Sequence, residues 1–297
     1  MMATVGLELR GPDIVAVSVD DAGVTASAVV PGGSDLAAAA RHAIERVGGT
    51  SAPTAVGVAA PSSEVAASAA AVSALAKAFP GPFLADGALP SGTAAAIAEA
   101  WIGAAKGVRD VVYFAAAEHV EGGIIQGGVP LLGARRHAAS VAWLALNPVE
   151  REDYRRVGCL EAEVGAAGIV RRLVWRIKAG DPSRVSDAVN GDLNAIALEH
   201  VLAAARSGDG VSISVMRDTA KYLGMAAANL VSIADPEMLV LGGMMATAAD
   251  LMLEPLRTEL GRRLARTMMD ALTTAPATLG AEAAAIGAAR FASAAMQ

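Results

Sequence analysis

The residues able to do chemistry fall in a few short stretches of the 297-residue chain. Glu118-His119-Val120-Glu121-Gly122-Gly123 sets two carboxylates and an imidazole directly before two glycines. Glycines let a backbone approach a phosphate closely, and their N–H groups bind it. Carboxylates do the opposite: one about 4 Å from a phosphate charge costs roughly 4 kcal/mol at a surface-like dielectric. Gly242-Gly243 follows the apolar run Met238–Leu241; it shapes a pocket or simply ends a strand tightly. Arg135-Arg136-His137 suits an anionic ligand, or a solvated loop. Pro61-Ser62-Ser63-Glu64 reads as a strand end and helix cap rather than a nucleophile. Cys159 is the single cysteine, so an internal disulfide and a cysteine-rich zinc site are excluded. The four histidines are too widely spaced for a paired metal motif.

The elements that must position these residues come in two similar rounds. Val5–Leu9, Ile14–Val19 and Val24–Val30 are short β-branched runs separated by turn residues, which predicts an antiparallel meander. A helix over Ser34–Val47 follows, with Ser34 or Asp35 as cap, then a strand at Thr54–Ala60 and a helix at Glu64–Ala78. Pro82–Ala85 reads as a short strand, and Ser91–Ala105 as a helix capped by Ser91 or Thr93. The second round opens with strands at Val111–Ala115, Gly123–Ile125 and Val129–Leu132. Helical windows follow at Leu160–Lys178, Leu193–Ser207, Val211–Ala234, Ala248–Met269 and Ala281–Ala295, with the strand Met238–Leu241 among them. Such duplication predicts two similar α/β lobes around a cleft that holds the ligand.

Hydrophobic residues make up 54% of the chain and charged ones 18%, so a sizeable core is expected. The net charge of −6, with no Lys/Arg block, argues against a nucleic-acid partner. No apolar run is long enough to span a bilayer, and no secretory leader is recognisable. A cytoplasmic protein with neither membrane nor nucleic-acid partner is expected.

Three stretches carry a family resemblance. VVYFAAAEHVEGGIIQGGVPLLG (111–133), GCLEAEVGAAGIVRR (158–172) and DPEMLVLGGM (235–244) resemble, in order, the phosphate hairpin, a GCLE helix start and an LGG segment of the ROK family (repressor, open reading frame, kinase). AAAIAEAWIG (94–103) is similar to the helix after that family's catalytic loop. The resemblance implies the two-lobed actin-like or hexokinase-like ATPase fold, with duplicated ribonuclease-H-like lobes and a central cleft. It places a small N-terminal lobe at 1–106 plus the returning helix 281–297, and a larger lobe at 107–280.

The resemblance also implies site residues, and many are altered. The first phosphate turn keeps a carboxylate as Glu8, but Pro12 and Asp13 stand where the family has a hydroxyl residue and a lysine. In the second, Glu118 and Glu121 replace small residues beside His119, Gly122 and Gly123. Gly242 and Gly243 would lie near the adenosine. Ser91 occupies the position of the catalytic aspartate and cannot act as a base near neutral pH; it is read as an N-cap, with Asp86 as a conceivable substitute. The sugar-contact motif E-x-G-H becomes Ser140-Val141-Ala142-Trp143, Trp143 being read mainly as core filling. Glu161 matches a sugar-contact glutamate, or is a first-turn acid stabilised by the helix dipole. If the alignment holds, Glu8, Asp13, Glu118, His119 and Glu121 converge in the cleft, where they suit a divalent cation or an amine, or stay as unpaired carboxylates. No structural zinc is expected, because Arg151–Val157 fills the place of the family's cysteine-rich loop.

The functional expectation is a catalytically inactive kinase-fold protein that binds a small ligand, such as a sugar or sugar derivative, as a sensor or partner. The alternatives are an active ATP- and magnesium-dependent hexose kinase with a rewired site, and an enzyme of another reaction class on the same fold. A DNA-binding repressor is not expected, because Val5–Leu9 leaves no room for an N-terminal helix-turn-helix. Family resemblance implies a homodimer.

Overall fold

A computed structural model describes residues 4–48, 53–63, 65–78 and 87–295. The first meander forms as the β-branched runs require: β1 (Thr4–Leu9), β2 (Asp13–Asp20) and β3 (Gly23–Pro31) pair antiparallel. Then come α1 (Leu36–Gly48), β4 (Ala55–Ala60), α2 (Val65–Ala78), β5 (Leu89–Pro90) and α3 (Ser91–Trp101). Asp35 accepts the backbone N–H of Ala38 at 2.9 Å, so it caps α1. Strand order is β3-β2-β1-β4-β5, with β4 parallel to β1.

The second round repeats this logic. β6 (Val111–Ala116), β7 (Val120–Gln126) and β8 (Val129–Pro130) form an antiparallel run. The helices α4 (Glu152–Val157), α5 (Cys159–Val164), α6 (Ala166–Lys178), α7 (Arg184–Ala188), α8 (Leu198–Arg206) and α9 (Gly210–Ala234) lead to β9 (Met238–Gly243). After α10 (Met244–Thr247), α11 (Ala249–Arg263) and α12 (Arg266–Ala271), β10 (Thr273–Pro276) and α13 (Ala283–Ala294) complete the order. The sheet order is β10-β9-β6-β7-β8. β6 pairs antiparallel with β7 and parallel with β9, just as β1 does with β2 and β4. The expected duplicated α/β fold is therefore present.

Where the windows and the elements differ, the cause is local. The Leu160–Lys178 window breaks at Gly165, whose backbone is extended and whose added Cβ would stand 2.9 Å from the Glu161 carbonyl oxygen. The Leu193–Ser207 window divides into a 3-10 turn at Leu193–Ala195 and α8. Pro255 lies inside α11 without ending it; the helix stops near Arg263 and resumes as α12. β10 has no counterpart among the expected strands, because Thr-Thr-Ala-Pro is short and only half apolar. The expected strand at Pro82–Ala85 lies outside the described residues.

One face of the first sheet packs Val5, Leu7 and Val58 against Ala40 and Ile44 of α1. The second sheet packs Phe114 and Leu239 against Met216 and Leu223 of α9. Between the sheets run α3 and α13, both built largely from alanine and glycine. α13 packs on β1, β2 and β4 and along α3, and α3 packs on β6 and β7. Small side chains let these backbones approach closely, which seats the start of α3 against both halves.

Candidate functional site

β1 delivers Glu8 to the start of α3, where only 5% of the residue is exposed. Its carboxylate accepts the Ser91 hydroxyl at 2.7 Å and the Arg10 guanidinium, with Nε at 2.6 Å and Nη2 at 2.5 Å. Arg10 also donates to the Ala281 carbonyl, just before α13. Ser91 is the first residue of α3, and Pro90 stands at the cap position with no side-chain capping bond. The expected N-cap role of Ser91 is thus corrected: its hydroxyl turns to Glu8. Thr93 lies within the helix and is not the cap either.

Glu121 projects from β7 to the same helix start. It accepts the Ser62 backbone N–H at 2.8 Å, the Ser62 hydroxyl at 2.8 Å and the Gly92 N–H at 3.2 Å. Ser62 follows β4 and Gly92 belongs to α3, so one carboxylate joins three separate parts of the chain. Glycine makes the junction possible. A Cβ on Gly92 would stand 2.4 Å from the Gly122 nitrogen, and one on Gly123 would stand 2.2 Å from the Gly92 oxygen. Burial pushes the Glu121 carboxyl up to about 7, against the opposing pull of the Ser62 and Gly92 hydrogen bonds. Burial, with the nearby carboxylates of Glu99, Glu8 and Glu121, holds the Tyr113 phenol above its usual range.

A second cluster surrounds Glu161, in the first turn of α5. Its carboxylate accepts the Val120 N–H at 2.9 Å and lies 3.2 Å from His119 Nδ1. Gly158, the residue before α5, has φ +97, and a Cβ on it would stand 2.3 Å from the Ala142 oxygen. That contact sets α5 against the turn containing Ser140 and Trp143. Ser140 donates its hydroxyl to the His137 carbonyl at 2.8 Å. Trp143 is 50% exposed, which corrects the reading of it as core filling: its backbone turn is packed and its ring is not.

The carboxylates therefore do not gather into one cation site. Glu8 and Glu121 meet the start of α3 with separate partners, His119 joins Glu161, and Asp13 and Glu118 are exposed. Among the described residues no group of three His, Cys, Asp or Glu is arranged for a metal ion. Gly242 and Gly243 pack on β6: a Cβ on Gly242 would meet the Tyr113 hydroxyl at 2.4 Å, and Gly243 has φ +61. Asp86 lies outside the described residues. Arg135 and His137 are exposed, as a solvated loop requires.

Arg10 and Tyr113 join the site without having been candidates. Arg10 stands two residues after Glu8, the spacing that places side chains on one face of an extended chain; that was its available signal. Around α4, an ion-pair cluster ties down the segment 151–157. Arg151 bonds Asp153 at 2.8 Å and Glu163 at 3.1 Å, and Tyr154 donates to Glu163 at 2.5 Å. Arg171 reaches Asp153 as well, and both arginines lie over the Trp175 ring. Cys159 is half-buried and free.

Two lobes sharing one topology, joined by α3 and α13 with the polar groups gathered at the junction, define a sugar-kinase-like α/β protein. The ROK family profile matches residues 58–295, and the chain belongs to the ROK family. A glucokinase of Halalkalibacterium halodurans is 30% identical over 196 residues, covering 65% of this chain and 59% of that protein. The chain thus matches less than two thirds of that curated relative's length. A ROK glucokinase of Streptomyces griseus, solved with glucose and AMPPNP, superposes with TM-score 0.81 at 23% identity, covering 98% of this chain and 99% of that one. The ROK hexokinase of Thermus thermophilus superposes with TM-score 0.76 at 26% identity over the full length of both chains. Among the described residues no helix is long and apolar enough to cross a membrane.

Proposed function

We propose that this chain is a non-phosphorylating ROK protein that binds a small sugar-like ligand between its lobes and acts as a sensor or partner protein. The lobes are taken as 1–106 with 281–297, and 107–280; the packing of α13 on the first sheet supports that division. The observation that carries the reading is the Ser91–Glu8–Arg10 set. At the position where the family resemblance places the catalytic base, a serine hydroxyl donates to a carboxylate already matched by an arginine. A hydroxyl in that role cannot remove a proton from a sugar near neutral pH. Glu121 already occupies the Gly92 N–H, a backbone donor that a phosphate at this helix start would use. Glu161 and the half-exposed Trp143 supply a carboxylate and an aromatic face suited to a polyhydroxylated ligand.

An active hexose kinase is the second reading. It is favoured by the kept carboxylates Glu8 and Glu161 and by relatives named as glucokinases. Calorimetric titration with ATP, with and without Mg²⁺, and a coupled assay over a panel of hexoses separate the two. The expected result is no heat at millimolar ATP and no hexose-dependent ADP release. Micromolar ATP binding with hexose-dependent turnover would establish the kinase and overturn the present reading.

A further inference from the structure

We propose that Tyr154 and Arg151 are positioning residues for Glu161: by gripping Glu163 they fix the roll of α5, and with it the place of the Glu161 carboxylate beside His119. The proposal rests on the reading of Glu161 as a ligand contact and concerns how that contact is held. α5 has little of its own to hold it. It is six residues long, far below the length of about 12–15 at which a helix begins to stand alone in water. Gly158, at its N-cap, has no side chain to cap it. Its orientation is therefore set by what it packs against.

Leu160 and Val164 seat one face of α5 in the core of the second half. At about 100° per residue, Glu161 and Glu163 project on opposite flanks of that face. A roll of the helix on its apolar seat carries both carboxylates together, so a grip on one fixes the other. On the first flank, Glu161 meets the Val120 N–H at 2.9 Å and His119 Nδ1 at 3.2 Å. On the second, Glu163 is buried, and its Oε1 accepts the Tyr154 hydroxyl at 2.5 Å and Arg151 Nη1 at 3.1 Å. Tyr154 belongs to α4, and Arg151 immediately precedes it.

The backbone between the two glutamates is gripped as well. The helix stops before Gly165, and the Ala166 N–H turns to the Ala117 carbonyl at 2.9 Å. The Ala162 carbonyl, at the open end of α5, takes Arg171 Nη2 from α6 at 2.7 Å. Arg171 also pairs with Asp153, which pairs with Arg151 at 2.8 Å. Both guanidiniums lie over the Trp175 ring, 5.2 Å from its centroid. The grip is thus a closed circuit through α4, α5 and α6, not a lone surface ion pair.

The test reads the imidazole signals of His119 by NMR at one fixed pH and without ligand. The signals are assigned by their loss in His119→Asn, and Glu161→Gln defines the shift that follows when the carboxylate partner is lost. Tyr154→Phe removes one hydroxyl and keeps the ring under Arg151; Glu163→Gln removes the gripped charge. Both should move the His119 signals toward their Glu161→Gln positions and leave those of His42 and His200 in place. Asp250→Asn, which weakens the exposed Arg206–Asp250 pair, is the control and should leave His119 unmoved. Wild-type His119 signals in a folded Tyr154→Phe or Glu163→Gln protein would overturn the proposal. So would a Glu161→Gln variant that leaves His119 unmoved, or a control that moves it as far. If Glu163→Gln does not fold, Tyr154→Phe decides, since it loses a single oxygen. A merely stabilising cluster would lower the denaturation midpoint without shifting His119. The measurement uses no sugar, so failure of sugar binding in a separate titration would sink the ligand reading and leave the grip on α5 to its own result.

Discussion

Glu99→Ala should destabilise the protein by about 4 kcal/mol, the larger of the two stability effects expected here. Glu99 is fully buried in α3. Its carboxylate accepts the backbone N–H groups of Ala104 at 2.7 Å, Thr278 at 2.9 Å and Leu279 at 3.0 Å, and the Thr278 hydroxyl at 3.1 Å. Alanine removes the acceptor for three backbone donors at once. Each unsatisfied buried donor costs about 1–3 kcal/mol, and the vacated volume adds to the loss. The donors lie at the end of α3 and on the connection from β10 to α13, so the damage falls where the two halves join. Glu99→Gln keeps one acceptor oxygen but sets an amide NH₂ against donors, and should lose roughly half as much. Urea denaturation of the three proteins checks the order wild type, Gln, Ala. A loss below about 1 kcal/mol for Ala would mean that other groups, or water, satisfy those donors.

Glu99 also shows what the sequence hides. Its local pattern, a glutamate in an alanine-rich helix, reads as an ordinary exposed acid. Its partners lie 179 and 180 residues away, at Thr278 and Leu279. The fold was more legible, because it is written in local periods: β-branched runs with turn residues between them, given twice. The site was legible as a set of positions but not as a set of pairings. Glu8, Ser91, Glu121, His119 and Glu161 were all marked, yet motif alignment places backbones and does not say which hydroxyl turns toward which carboxylate. Ser91 is a case of that kind. A serine beginning a helix has a strong prior as a cap, and only the buried Glu8 on a neighbouring element makes the other hydrogen bond better. Trp143 fails for a different reason: size alone suggests burial, but its 3-10 turn is held by Gly158 through the backbone, which leaves the ring half in solvent.

The second stability effect concerns Gly287, and its direction opposes helix propensity. Within α13, Gly287→Ala should gain about 1 kcal/mol in helix propensity. The added Cβ would nevertheless stand 1.7 Å from the Ala94 oxygen and 2.4 Å from its carbonyl carbon. A contact to backbone cannot be relieved by rotating a side chain, so a helix must move. α13 cannot retreat toward the first sheet, because Cβ positions on Gly6 and Gly57 already fall 1.9 Å from the Ala285 oxygen and 2.0 Å from the Ala288 oxygen. α3 cannot retreat toward β7, because Gly92 rests on Gly122. With both escapes closed, overpacking should outweigh propensity and give a net loss of about 2–3 kcal/mol. Gly261→Ala in α11 is the internal control: nothing lies within 4 Å of its added Cβ, and it should stabilise by about 0.5–1 kcal/mol. Denaturant melts of the two variants should therefore move in opposite directions. If both stabilise, α13 and α3 are free to separate, and the seam cannot be what holds Ser91 on Glu8 and Gly92 on Glu121. If only Gly287→Ala destabilises, the close seam between these two helices is what fixes the start of α3, and with it the polar groups of the cleft.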